Sequence, residues 1–469
     1  MSRTYPPGPR DGLLGTTFLR RFQRAPLTFI TDIACQYGDF TYVRIGWARL
    51  YFVNRPPLIR EILTTKANSF RRLPRQMRSL SKMEGKGLAV AEGAAWQRHR
   101  PLVQGAFHTR HFEHYALVVV EHTRRRLARW SPGAVLDVAE EMNQLALTIT
   151  AKLVFDVDLS DQANRLRDAV QRFRTCMMKE MFSPIVLPDW LPLPGKIRKR
   201  RALRVIDDLL WSLIRQHRAS RAGKNDMLTL MLSAASGMYP EDPITDREIR
   251  DEAATLFVAG HDTTSAALAW FWYLLGRNPE VEASLLREVD AVLGGRPATY
   301  ADLRQLSLTE MAVKESMRLY PAAGVLFGRQ AVEEVELGGH MLPRGSMVFM
   351  SPYLIHRDPK NYTDAEKFDP GRFRHGRVEA IPPYAYLPFG GGPRICIGSG
   401  LALMEIVLLA ATVLQHHRLV PDPGQSEVEP AFEVVLRPKG AVKMRTAPRE
   451  KAGEQAVQAR AKETQTASA

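Results

Sequence analysis

The sequence predicts a single large, mainly α-helical domain with small β-sheets, an α+β fold. A helix of about 48 Å is expected over 245–277, because a Thr–Glu capping box begins it and Pro279 follows its end. A second, apolar helical run over 399–417 follows a glycine-rich turn that carries a cysteine. Segments rich in β-branched and aromatic residues, such as 40–45 and 50–53, predict only short strands.

The first hundred residues are predicted to contain helix, strands and a loop in that order. Helical periodicity over 26–37 precedes the two strands. The stretch 71–87 is basic, contains methionines and is bounded by glycine, so we expect a mobile loop with a short helix there. Trp96 begins another helical segment, in which Arg100 lies on the same face four residues later.

The middle of the chain, 112–232, is predicted to be mostly helical. Prolines interrupt it at 184–195, which must be a loop because proline is excluded from helix interiors. This loop exposes Trp190 and precedes a basic run at 196–201. An apolar tip with a basic collar can contact a membrane interface, although a packed loop with solvated charges explains the pattern equally well.

The last third is predicted to begin with short strands and to end in a tail. Strands are expected within 323–331 and 346–353, and over 335–344 with a turn at the two central glycines. We expect one domain over 1–446, followed by a disordered polar tail over 447–469 that has no aromatic residue.

Composition limits the classes of function. The formal net charge of +15 favours an acidic partner, which leaves nucleic acid, an acidic electron-transfer protein or an anionic membrane as candidates. The sequence contains no nucleic-acid-binding motif, so we do not expect nucleic acid to be the partner. Three cysteines without paired spacing indicate a reducing compartment. The N-terminus lacks an apolar stretch of about 18–20 residues, so we expect a cytoplasmic protein without a transmembrane anchor.

Cys396 is the most informative residue, because it lies between three glycines and the apolar helical run. Backbone amides, a helix start and Arg394 could together stabilise a thiolate there, which indicates a metal ligand or a nucleophile. A structural cysteine is the alternative. The pattern Phe389-x-x-Gly392-x-Arg394-x-Cys396-x-Gly398 resembles the haem-binding loop of the cytochrome P450 family.

The resemblance implies roles for residues around a haem b, iron protoporphyrin IX. Cys396 would be the axial ligand of the iron, and Phe389 and Gly398 would belong to the loop that surrounds the sulfur. Propionate partners would be Arg394, Trp96, Arg100 and Arg329. Trp96 and Arg100 match the family's Trp-x-x-x-Arg pattern, although a packing pair would look the same.

The long helix contains Ala259-Gly260-His261-Asp262-Thr263-Thr264, which is similar to the family's distal motif. There Asp262 and Thr263 would deliver protons during the activation of dioxygen. Small residues in this turn should leave room for a ligand against the helix backbone. The implied substrate pocket contains Met83, Val258, Ala259, Val325, Leu326 and Phe327.

A buried support is also implied by the resemblance. Glu315 and Arg318 form a Glu-x-x-Arg pair on one helix face, and Arg372 would join them from a later loop. Gly371 stands where many family members have glutamate, a departure that leaves Arg372 and its neighbours in place. These motifs occur in the family's order over about residues 5–445.

The implied function is insertion of one atom of dioxygen into an apolar substrate, such as a fatty acid, alkane, terpenoid or steroid-like molecule. Electrons would come from a separate ferredoxin or flavodoxin with its NAD(P)H reductase. Three alternatives stay open: a peroxide-driven peroxygenase, a non-catalytic haem-thiolate binding protein, and a basic nucleic-acid-binding protein. The acid–alcohol pair at 262–263 argues against the peroxygenase, which would not need it.

Overall fold

The computed structural model describes residues 5–9, 16–158, 163–182, 186–219, 225–239 and 241–449. Its helices are α1 Thr16–Arg24, α2 Pro26–Tyr37, α3 Pro56–Arg60, α4 Pro74–Glu84, α5 Gly93–Gln104, α6 Phe112–Leu127, α7 Val138–Phe155, α8 Ala163–Phe182, α9 Pro194–Ala219, α10 Met227–Met238, α11 Asp246–Gly276, α12 Pro279–Leu293, α13 Ser307–Leu319, α14 Pro352–Ile355 and α15 Ser399–His416. Its strands are β1 Phe40–Ile45, β2 Ala48–Val53, β3 Phe70–Arg72, β4 Val135–Asp137, β5 Arg329–Ala331, β6 Val335–Leu337, β7 His340–Leu342, β8 Met347–Phe349, β9 His417–Pro421, β10 Pro430–Phe432, β11 Leu436–Pro438 and β12 Lys443–Pro448.

Within the described residues, short strands form four small sheets beside the helices. The largest has the order β1-β2-β8-β5-β3, in which β1 and β2 are an antiparallel hairpin and β2 runs parallel to β8. A second sheet, β4-β12-β9, joins strands that are about 300 residues apart in the chain. The pairs β6-β7 and β10-β11 are isolated hairpins. The mainly helical α+β prediction is confirmed.

Helix α11 crosses the largest hydrophobic core and is buried along most of its length. It begins with the expected capping box: Glu248 N donates to Thr245 Oγ1 over 3.2 Å, and Thr245 N donates to Glu248 Oε2 over 2.8 Å. Helices α7, α13 and α15 pack against it. Its 31 residues give a length of about 46 Å, in agreement with the sequence prediction.

One described helix, α15, is apolar and long enough to cross a membrane by length and composition. Its window of 18 residues is 67% buried inside the protein, however, so α15 packs as a core helix. The helix contains Leu408, Leu409 and Ala410, all fully buried in the main core.

Three sequence predictions were wrong in extent. The short helix expected within 71–87 is present but longer than expected, because strand β3 and the eleven-residue helix α4 occupy most of the stretch and leave little of the predicted loop. Within 323–331 only the last three residues form a strand, β5. Strand β12 pairs as far as Pro448, so the predicted tail cannot begin at 447, and 450–469 lie outside the described residues. The loop between α8 and α9 agrees with the proline pattern, although 183–185 are not described.

Candidate active site

A cavity of about 370 Å³ lies between α11, α5 and the segment that carries Cys396. Cys396 and Thr263 line the same cavity, so the structure brings together the two most distinctive motifs of the sequence. Most of the remaining wall is apolar. The other lining residues include Leu88, Ala89, Leu153, Val154, Leu256, Ala259, Ala267, Val325, Leu326, Phe327, Phe389, Ile397, Leu401 and Val434.

The glycines before Cys396 are required by the backbone of this loop. Gly390 and Gly392 have φ values of 73° and 68°, in the left-handed region that favours glycine. A Cβ on Gly392 would lie 1.9 Å from the carbonyl oxygen of Leu63, so no side chain fits there. Cys396 N donates to Phe389 O over 3.0 Å, which closes the loop around the sulfur.

The surroundings of Cys396 shift the pKa of its thiol in the direction opposite to that expected from the sequence, which predicted a stabilised thiolate. Burial raises the pKa of Cys396, and a backbone hydrogen bond from Gly398 and the charge of Arg100 oppose this rise only in part. The polypeptide alone therefore favours the thiol over the thiolate. A metal cation at the sulfur would reverse this preference, because a coordinating thiol loses its proton.

Four guanidinium groups line the cavity, from Arg72, Arg100, Arg329 and Arg394. Burial lowers the pKa of Arg72 and of Arg394 to about 10, and the mutual repulsion of these two groups adds to the shift of Arg394. The pKa of Arg100 and that of Arg329 are also lowered by burial. Glu92 is the carboxylate beside them, 3.1 Å from Arg394 and 3.9 Å from Arg72. The group carries more buried positive than negative charge.

The aromatic–arginine contact of Trp96 involves Arg394, whereas the sequence paired Trp96 with Arg100. The guanidinium carbon of Arg394 lies 4.3 Å from the centroid of the Trp96 ring, a cation–π contact. Arg100, four residues after Trp96, donates to Ile395 O over 3.1 Å and thus holds the residue next to the cysteine. Both Trp96 and Arg100 border the cavity.

These residues fit a haem. The cavity offers a sulfur ligand on one wall, apolar surfaces for a flat macrocycle, and an excess of partly buried guanidinium groups that two propionates would neutralise. The clustered arginines are the decisive observation, because partly desolvated cations without matching anions are costly. Arg72 belongs to this set although the sequence offered no motif for it.

On α11 the two predicted catalytic residues face different spaces. Thr263 borders the apolar cavity, and its Oγ1 donates to Ala259 O one turn earlier, over 2.8 Å. Asp262 instead borders a second cavity of about 460 Å³, whose other lining residues include Asp137, Glu140, Asn143, Gln171, Arg174, His261, Ser265 and Arg437. The helix thus separates an apolar space from a polar one.

Asp262 is held by three basic groups. Arg174 Nη1 donates to Oδ2 over 3.0 Å, while Arg437 Nη2 and His261 Nε2 lie 2.6 and 3.0 Å from Oδ1. Burial alone would raise the pKa of Asp262, but His261 and the two arginines hold it well below the usual range. The carboxylate is therefore ionised at neutral pH.

The predicted pocket residues divide into two groups. Ala259, Val325, Leu326 and Phe327 line the cavity as expected, whereas Met83 and Val258 are absent from the described wall. Met83 is buried in the main core on α4, and Val258 packs against that core. Met83 and Val258 therefore do not line this cavity, and their place in a substrate pocket stays a prediction.

Gly260 has a second role that the sequence did not suggest. A Cβ there would lie 3.0 Å from Thr150 Cγ2 of α7, so the glycine allows two helices to approach closely. Gly260 and Thr150 also line the cavity, so this close helix contact lies at the edge of the space that is available to a ligand.

Glu315, Arg318 and Arg372 come together in a fully buried cluster. Arg318 donates to Glu315 through Nε over 2.7 Å and through Nη2 over 2.9 Å. Arg372 Nε donates to the same carboxylate over 3.1 Å, and so does Asp369 N over 2.9 Å. The glycine at 371 does not disturb this arrangement.

Two further buried groups near the site were not identified from the sequence. Glu405 on α15 lines the cavity, and burial raises its pKa to about 8. Its Oε1 has no hydrogen-bond partner among the described residues. His356 is fully buried beside Arg318. Neither lies in a motif, and only its placement in the fold reveals it.

The loop after α8 has an apolar tip but a weaker basic collar than expected. Trp190 is 73% exposed. Lys196 and Lys199, however, are buried and form ion pairs with Glu180 and Asp189. The interpretation of 196–201 as a uniformly solvated face is therefore wrong.

Comparisons with known proteins agree with this geometry. The family model for cytochrome P450 matches residues 6–444. The chain is 34% identical over 433 residues to a cyclooctatin synthase of Streptomyces melanosporofaciens, covering 91% of this chain and 92% of that protein. It is 33% identical to a cyclooctat-9-en-7-ol 5-monooxygenase of the same organism, with 88% of each chain covered. A pentalenene oxygenase of Streptomyces avermitilis is 32% identical, with 89% and 92% covered.

Proposed function

The chain belongs to the cytochrome P450 family, and from this premise we propose the roles of its residues, its cofactor, its substrate class and its partner. The protein is a haem-thiolate monooxygenase that acts on hydrophobic substrates with dioxygen and an external source of electrons. The observation that carries the assignment of the site is the joint placement of Cys396 and four partly buried arginines around one mostly apolar cavity.

The cofactor is haem b, which Cys396 would hold through its sulfur. The guanidinium groups of Arg72, Arg100, Arg329 and Arg394 would bind its propionates, since these partly desolvated cations need anions. When bound, the haem supplies the activation of dioxygen that thiolate ligation favours. Trp96 contributes by fixing Arg394 through its ring face.

Asp262 and Thr263 control protons on the distal side. Asp262 borders the polar cavity and stays ionised at rest, so a proton that it takes up from water is held only briefly before it is passed on. Thr263 borders the apolar cavity, and its hydroxyl can present a proton there once it leaves its bond to Ala259 O. A step of one residue along α11 thus connects the polar cavity with the apolar cavity, while the helix keeps bulk water out of the apolar cavity.

The substrate is a terpenoid or a molecule of similar apolar, compact shape. The cavity wall at α11 is mostly alanine and bulkier aliphatic side chains, with Thr255, Thr263 and Thr264 among them. The relatives named above include two enzymes whose names refer to terpenoid substrates, pentalenene and cyclooctat-9-en-7-ol. A wall that is mostly apolar binds chiefly by shape and apolar area.

A soluble, acidic ferredoxin or flavodoxin is the electron donor, itself reduced by an NAD(P)H-dependent reductase, and the protein is cytoplasmic. The net charge of +15 favours encounter with an acidic partner. Raising the ionic strength should therefore slow reduction by such a donor.

The deciding experiment is the carbon-monoxide difference spectrum of the reduced protein. We expect a red-shifted Soret band that is lost in Cys396→Ser. Cys35→Ser is the matched control, because Cys35 is an exposed thiol and should leave the band unchanged. A wild-type protein without this band, or a Cys396→Ser variant with it, would refute the proposal.

A second experiment separates the monooxygenase from a peroxide-driven enzyme. Thr263→Ala should lower the product formed per electron consumed, whereas Thr263→Ser, which keeps the hydroxyl, should retain most of it. Turnover with dioxygen, donor and reductase should exceed turnover with peroxide alone. Equal coupling in both variants would contradict the role of the hydroxyl.

A further inference from the structure

We propose that His356 is a positioning residue that fixes the cysteine loop to the buried Glu315–Arg318–Arg372 cluster. The inference rests on the proposed function, because the loop matters through the sulfur that it presents. His356 lies directly after α14, and its side chain is fully buried. It lies in no motif that the sequence analysis identified.

The contacts of His356 define one protonation state. Leu387 N donates to Nε2 over 2.7 Å, so this nitrogen carries no proton. Burial lowers the pKa of His356 to about 3, so the ring is neutral and its single proton is on Nδ1. Nδ1 donates to Arg318 O over 3.1 Å. The imidazole therefore connects a backbone acceptor of one element to a backbone donor of another.

Both of these backbone groups need a partner. The carbonyl of Arg318 is among the last four of α13, and these carbonyls receive no hydrogen bond from an amide of the same helix. Leu387 is buried in a segment outside the helices and strands, between two turns. His356 also accepts from Arg318 Nη1 through its own carbonyl oxygen, over 2.7 Å. One residue thus joins the backbone and the guanidinium of Arg318 to the segment before the cysteine.

The connection continues to the sulfur through backbone hydrogen bonds. Leu387 O accepts from Gly390 N over 3.1 Å, and Phe389 O accepts from Cys396 N over 3.0 Å. A displacement of Leu387 would therefore move the turn that holds Cys396. A thiolate ligand is tuned by the hydrogen bonds and the orientation of its surroundings, so this displacement should be visible in the haem spectrum.

Three variants distinguish the contact with Leu387 from mere filling of space. His356→Gln can place an amide oxygen near the position of Nε2 and accept from Leu387 N. His356→Asn reaches only the position of Nδ1 and keeps the bond to Arg318 O. His356→Leu removes both. We expect haem release to become about tenfold faster in the Asn and Leu variants, because a buried amide loses its acceptor.

Two measurements on the full-length holoprotein test this expectation. The first is the rate of haem transfer to excess apomyoglobin, together with the position and amplitude of the Soret band under carbon monoxide. The second is hydrogen exchange of the peptide that contains Leu387, which should be faster in His356→Asn and close to wild type in His356→Gln. This second measurement does not depend on activity, and it remains informative if His356→Leu fails to fold.

The control is Tyr362→Phe, which removes a different bond to the same segment. Tyr362 OH donates to Ala385 O over 2.9 Å, and phenylalanine keeps the ring. We expect the rate of haem release in this variant to stay within about twofold of the wild-type rate. The reason is that an unpaired carbonyl oxygen costs less free energy than an unpaired amide N–H. Equal behaviour of the Gln and Asn variants, or an equally large effect of Tyr362→Phe, would overturn the proposal. Absence of the wild-type band would instead refute the haem-thiolate assignment.

Discussion

Replacement of Glu315 by glutamine should destabilise the protein more than any single surface change. The carboxylate accepts four hydrogen bonds, of which Oε1 receives three and Oε2 receives one. Glutamine keeps one acceptor oxygen and turns its amide group towards Arg318 Nε, so a donor faces a donor. Arg318 and Arg372 lose their buried counter-charge. Breaking a buried pair in this way costs about 3–5 kcal/mol, a large part of a typical stability of about 5–15 kcal/mol.

The assay is urea unfolding followed by circular dichroism, with the fraction of haem-loaded protein measured in parallel. The control is Glu310→Gln on the same helix, α13. Glu310 pairs with Lys314 over 2.6 Å, and both side chains are about one-third exposed. An exposed pair of this kind contributes about 0.3–0.5 kcal/mol. If the two variants lose similar stability, the reasoning that buried charge decides the outcome is wrong.

Three other predictions concern single residues. Gly392→Ala should abolish haem loading because its Cβ would meet a backbone carbonyl at 1.9 Å, whereas Gly390→Ala, with φ of 73° but open space, should cost only about 1–2 kcal/mol in thermal unfolding. Glu405→Gln should stabilise the protein increasingly from pH 6 to pH 9. The reason is that the pKa near 8 makes the folded state bind a proton that the unfolded state has released above about 4.5, so wild-type stability falls as pH rises. Arg437→Met should raise the pKa of Asp262 and shift the acid limb of the coupling–pH profile upward, and Arg437→Lys should restore it.

The fold could be predicted where boundary residues in the sequence mark the ends of a helix. Helix α11 was predicted within a residue at each end, because a capping box and an Asn-Pro pair define it locally. The extent of helix α4 was underestimated, although Pro74 at its first position and Gly85 after its end are the usual boundary residues. The basic composition of this stretch drew attention away from these two boundary residues. Strand β12 could not be read locally, because its pairing with β4 depends on residues about 300 positions away.

The same distinction holds for the site. The cysteine loop and the Asp262–Thr263 pair are contiguous in sequence, so they could be recognised. Their electrostatic partners could not, because Arg174 and Arg437 reach Asp262 from 88 positions before it and 175 after it. His261 looked like a spacer between two motif residues. In the fold its Nε2 lies 3.0 Å from Asp262 Oδ1, and this contact helps to hold the pKa of the carboxyl group low.

Helix α11 explains how one element can meet two opposed requirements. An apolar substrate needs a dry cavity, whereas proton delivery needs water and charge nearby. Ala259 and Thr263 lie one turn apart and face the apolar cavity, while Asp262 and Ser265 lie on the polar side. Because neighbouring helix residues point about 100° apart, the step from 262 to 263 is enough to pass from one space to the other. Substitution of the polar side should therefore change proton supply without changing substrate affinity, and substitution of Ala259 should do the reverse.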